Sequence, residues 1–173
     1  GYVPSMQMSA DEAERYHQPQ ARALVDAGVD MLCAMTLNTI DEAIGITRTA
    51  VRLSVPVAIS FTVEVNARLA TGETLRHAIE AVDDATAQAP AYYMINCAHP
   101  SHFRPALEDG GPWTSRIRGI RANASRKSHA ELNESTELDP GKPLELAEDY
   151  ASLIERWPQI TVLGGCCGTD ERH

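Results

Sequence analysis

Cysteine is the residue type in this chain with the most chemistry to offer, and it stands at Cys33, Cys97, Cys166 and Cys167. Joining the neighbours Cys166 and Cys167 to each other would close a small strained ring, so they do not form a relaxed disulfide. Four thiols in 173 residues, without the regular spacing of a small secreted scaffold, point to a reducing compartment. Reduced thiolates are good zinc ligands. Spacing alone leaves two readings of the pair open, because there is no CxxC and two adjacent cysteines can also serve as small buried hydrophobes. Cys33 lies inside an apolar run and reads as a core residue. His99 and His102 follow Cys97 closely and read as solvated or substrate-loop residues rather than ligands.

The elements that must position these thiols follow from periodicity. Apolar or small residues at helical spacing predict helices over 10–27, 39–53, 75–88 and 144–157, the first with Ser9 as its cap and Gly28 as its stop. Short apolar runs predict strands over 29–35, 56–63, 92–97, 117–122 and 160–165. The run over 56–63 is apolar apart from small hydroxyls, as in a strand covered on both faces. The segment between 97 and 117 reads as a poor helix. Residues 125–142 are polar and read as a long surface loop, with a lid role for its acidic part left as the less favoured option. Trp113 and Trp157 read as packing residues.

Strands alternating with helices imply a parallel sheet with right-handed crossovers, either doubly wound or a (β/α)8 barrel. No GxGxxG follows any strand, which disfavours the dinucleotide-binding version. Polar residues gather instead at strand ends: Asn96 with Cys97, Asn123, and Cys166 with Cys167. In a barrel these positions meet at the C-terminal face, where active sites lie. That convergence favours a metal centre over buried hydrophobes.

Composition removes other function classes. The balance of 15 basic against 24 acidic residues gives a net charge of −9, which disfavours nucleic acid and anionic membranes as partners. The apolar stretch 55–65 is broken by Pro56, Ser60, Thr62 and Glu64, far short of the ~20 residues of a membrane span. No secretory signal is visible, so the expected location is cytoplasmic. The chain begins at Gly1 and stops just after Gly168, so both ends read as cut.

Met94-Ile95-Asn96-Cys97 and, about 70 residues later, Gly164-Gly165-Cys166-Cys167-Gly168-Thr169 together resemble the zinc-dependent, betaine-homocysteine methyltransferase-like homocysteine S-methyltransferase family. The helix before Gly28, the Asp41-Glu42-Ala43 helix start and Ala122-Asn123-Ala124-Ser125 are similar to the family as well. The resemblance implies a single partial domain over 1–173, with about strands four to eight of a (β/α)8 TIM barrel present. It implies zinc on Cys97, Cys166 and Cys167, which would also be the catalytic residues, and transfer of a methyl group from a small donor to the homocysteine thiol, giving methionine. Asn96 would be substrate-binding together with Glu64, and would orient the metal loop or donate to a ligand sulfur. Many members carry a glutamate for the homocysteine amino group where this chain has Met35; Glu64 is the expected replacement, with Asn38 as second choice. Other readings stay open: a non-enzymatic zinc-binding or redox-sensing barrel, or a methyltransferase for another thiol or a selenol. The donor is not encoded in these motifs.

Overall fold

A computed structural model describes residues 7–173, so Gly1 lies outside the described residues. Helix α1 (Ala10–Asp26) starts at a reciprocal cap: Ser9 Oγ accepts from the Glu12 N–H, and the Glu12 carboxylate accepts from the Ser9 N–H at 2.9 Å. Strand β1 (Leu32–Leu37) begins three residues later than expected from the apolar run, because pairing starts where Leu32 meets Val57. Then follow α2 (Ile40–Arg52), the fully buried β2 (Val57–Phe61), α3 (Leu75–Thr86) and β3 (Tyr92–Asn96).

The chain continues with α4 (Pro100–Glu108), a 3-10 turn over Pro112–Arg116, β4 (Ile117–Ala122), α5 (His129–Glu134), α6 (Pro143–Arg156) and β5 (Val162–Gly165). Two of these correct the sequence reading. The α4 segment is a helix despite two prolines: Pro100 occupies the first turn, where its missing N–H costs nothing, and Phe103 and Leu107 bury one face. The polar stretch 125–142 contains α5, nucleated by a second reciprocal cap between Ser128 and Glu131.

Among the described residues the five strands are parallel and lie in the order β1-β2-β3-β4-β5, each beside its neighbour in sequence. A doubly wound sheet would reverse that order partway; a (β/α)8 barrel never does. The sheet is therefore an open arc of a barrel. Tyr93, Phe61 and Ile95 pack toward the helices, where Tyr93 Oη donates to Asp83 of α3 at 2.8 Å. Strand alternation then sends Met94 and Asn96 to the inner face. Trp113 and Trp157 are buried as expected. Among the described residues, no helix is long and apolar enough to cross a membrane.

Candidate metal centre

Cys97 is the residue just past β3, and its φ of +53° places it in the left-handed region. For a residue with a Cβ that conformation costs about 1–2 kcal/mol, so neighbours must hold it. They do: the Cys97 carbonyl accepts from Asn123 Nδ2 at 3.0 Å and from His129 Nε2 at 2.6 Å, while its N–H donates to the Arg121 carbonyl at 3.0 Å. The turn aims the Cys97 sulfur away from β3 and across the end of β4.

Cys166 and Cys167 reach the same point from the other side. Strands two apart in a ladder are separated by about 9.6 Å, yet the Cα atoms of Cys97 and Cys166 are only 5.4 Å apart. The loops after β3 and β5 therefore lean toward each other over the intervening β4. Cys166 N–H donates to Ala122 O at 2.8 Å, and Cys166 O accepts from Thr169 Oγ1 at 2.7 Å. Gly168, at φ +82°, permits the turn that lets both neighbours face inward.

Asn123, at the end of β4 and buried, bridges the two sides. Its Oδ1 accepts from the Cys167 N–H at 3.2 Å while its Nδ2 serves the Cys97 carbonyl. The result is three sulfurs, those of Cys97, Cys166 and Cys167, all within 4.8 Å of one another, with Cys97 buried and Cys167 exposed. The Cys97 and Cys166 sulfurs are in direct contact. A tetrahedral zinc at about 2.3 Å from each thiolate spaces its sulfurs by about 3.8 Å, so the donor set fits zinc once the Cys97 and Cys166 sulfurs part from the contact they make here. A cavity of about 320 Å³ lined by Ser125, Leu132, Leu138, Asp139, Cys167 and Gly168 lies alongside. Hydrogen bonds from Ser125 Oγ and then the Gly141 N–H hold the Asp139 carboxyl below its usual range and pin this wall.

The other expected site residues are distributed around this centre. Asn96 is buried; its Oδ1 accepts from Ser60 Oγ at 2.6 Å and the Thr36 N–H at 2.9 Å, and its Nδ2 donates to Thr36 Oγ1 at 2.7 Å. It clamps the left-handed Thr36 (φ 62°) at the end of β1. Glu64 is half-buried and its Oε1 lies 2.9 Å from His129 Nδ1. Because the Cys97 carbonyl can only accept, His129 donates to it from Nε2 and turns Nδ1 toward Glu64. Asn38 is buried, with its carbonyl accepting from Thr71.

Three readings change. His99 and His102 are buried, not solvated: His99 Nδ1 caps α4 by accepting from the Ser101 N–H, and His102 Nε2 donates to Arg126 O at 2.9 Å. Burial, with Arg126 nearby, pushes the His99 imidazole down to about 4, so it is neutral. Cys33, expected in the core, is exposed on the inner face, its sulfur 3.3 Å from Met35 Sδ. Asn123 and His129 are the supports that sequence reasoning left without a role. A polar residue ending β4 was the one available signal for the first; the second was hidden in a stretch read as a loop.

An open arc of parallel strands in sequential order, with three thiols gathered at its C-terminal face, is part of a (β/α)8 barrel with a sulfur-rich centre. The family model described as homocysteine S-methyltransferase matches residues 1–173. This chain belongs to the homocysteine S-methyltransferase family. It is 25% identical over 175 aligned residues to homocysteine S-methyltransferase YbgG of Bacillus subtilis, covering 97% of this chain and 52% of that protein. In fold it resembles the homocysteine methyltransferase MmuM of Escherichia coli. The metallated form superposes with a TM-score of 0.67 at 20% identity over 97% of this chain and 51% of that one. The oxidized form gives 0.66 at 23% identity with the same coverage. The chain spans about half the length of the relatives it matches.

Proposed function

We propose that the protein carrying this span is a cytoplasmic, zinc-dependent S-methyltransferase that moves a methyl group from a small donor to the thiolate of homocysteine, giving methionine. In this reading residues 1–173 form one partial barrel domain. The observation that carries it is the set of three sulfurs within 4.8 Å at the barrel's C-terminal face, in a chain of this family. Cys97, Cys166 and Cys167 would hold the ion. When bound, a divalent ion would favour the thiolate form of the acceptor at neutral pH, the form a nucleophile needs.

The chain's own side chains then orient the acceptor. Glu64 receives the acceptor ammonium on the oxygen that His129 does not use. Asn96 shapes the pocket floor by fixing Thr36 beside Met35. The cavity beside Cys167 admits the donor. Metal analysis of the full-length protein under reducing conditions tests this: stoichiometric zinc is expected, falling at least tenfold in Cys166→Ser. Unchanged zinc in that variant, or no methionine from homocysteine with any sulfonium, quaternary ammonium or methyl-corrinoid donor, overturns it.

Direct contact between the Cys97 and Cys166 sulfurs favours one second reading, a thiol pair that oxidation closes and that releases the metal. Zinc content unaffected by oxidant would eliminate it.

A further inference from the structure

We propose that Arg121 recognises the carboxylate of the acceptor thiol, reading it from inside the barrel; the proposal rests on the methyl-transfer function above. Arg121 sits in one register row with Asn96 of β3 and Gly164 of β5, the row immediately beneath the cysteines. Asn96 points to the inner face, where it bonds Ser60 and Thr36, so its row partner Arg121 points there too. A Cβ at position 164 would lie 3.1 Å from Arg121 Nε and 3.3 Å from its Cγ. The side chain is thus laid across Gly164, where a Cβ would make it give way by a few tenths of an ångström.

The Arg121 backbone is tied to the metal centre, its carbonyl accepting from the Cys97 N–H. Its side chain is exposed and pairs with no carboxylate among the described residues, whereas Arg104, Arg116 and Arg126 each hold an acid on the outer side. Burial pushes the Cys33 thiol up and the Arg121 charge pulls it back, so the guanidinium is felt across the inner face as far as β1.

A guanidinium left unpaired in a concave site presents a fork that matches a carboxylate bidentately. The step from its row to the cysteines is one or two residues, at most about 6.6 Å, which matches the reach of homocysteine from sulfur to carboxylate. With Glu64 taking the ammonium, the two charged groups read the two ends of an amino-acid zwitterion. Arg121 therefore sets specificity toward acceptor thiols that carry a carboxylate.

Three thiols separate the contributions: homocysteine, its amine-free analogue 4-mercaptobutyrate and its carboxylate-free analogue 3-aminopropane-1-thiol. Calorimetric binding to the full-length, zinc-loaded protein is measured for each, then turnover. Arg121→Gln is expected to weaken homocysteine and 4-mercaptobutyrate roughly 10- to 100-fold while leaving 3-aminopropane-1-thiol unchanged. Arg121→Lys should restore part of the loss. Equal weakening of all three thiols, or of none, overturns the carboxylate role. Carboxylate-selective binding without any methyl transfer keeps Arg121 as the reader and overturns the catalytic reading instead; methyl transfer indifferent to Arg121 does the reverse.

Discussion

At Cys97 a side chain that must reach sideways forces the backbone into a conformation it disfavours, and the surroundings hold it there. Asn123 is the principal support, because one amide serves both Cys97 O and Cys167 N. Replacing it by Ala leaves a buried carbonyl short of a donor and an N–H without its acceptor, each costing about 1–3 kcal/mol. Asn123→Ala in the full-length protein should lower zinc affinity about 10- to 100-fold, measured by chelator competition, with the far-ultraviolet circular dichroism unchanged. Native affinity would show that the loops hold themselves. The three cysteines themselves were legible in the sequence because their motif is local. The roles of Asn123 and His129 were not, since each depends on which strand end lies beside which.

At the scale of elements, period and capping carried most of the fold: β2 was legible as a strand buried on both faces and α1 as a capped amphipathic helix. The sequence reading failed where a short helix is made by its caps, as in α5, and where burial of Phe103 and Leu107 outweighs proline, as in α4. The β3 strand also carries a titratable lock to α3. Tyr93 Oη donates to Asp83, whose carboxylate holds Arg116 at 2.9 and 3.0 Å. Burial first, and the Asp83 hydrogen bond second, push the Tyr93 phenol far above its ordinary range. The folded protein therefore keeps this proton while the unfolded chain releases it above about pH 10. Stability from this group is complete below pH 10 and declines as pH rises, by up to about 1.4 kcal/mol per pH unit. Urea melts across pH 8–11.5 should show that decline, and Tyr93→Phe should flatten it while lowering stability at neutral pH. An equal slope in the variant assigns the loss elsewhere.

For the whole molecule, sequential strand order is the property that turns local motifs into a site, because it brings the ends of β3, β4 and β5 together in one arc. Among the described residues the same order leaves β1 and β5 as unpaired edges, flanked by exposed Met31, Val162 and Leu163. Unpaired edges with apolar side chains template association with other chains. The charge of −9 opposes this, and salt weakens that opposition as the screening length falls from about 10 Å at 0.1 M to about 3 Å at 1 M. Residues 1–173 expressed alone should therefore scatter light increasingly with concentration and with added salt, and Leu163→Lys should reduce the scattering. In the complete barrel proposed above further strands would pair with both edges, so the full-length protein should scatter little under the same conditions. A monodisperse 1–173 in 1 M salt would mean that side chains of the arc cover its own edges, and the barrel would then not need its remaining strands to stay apart from its neighbours.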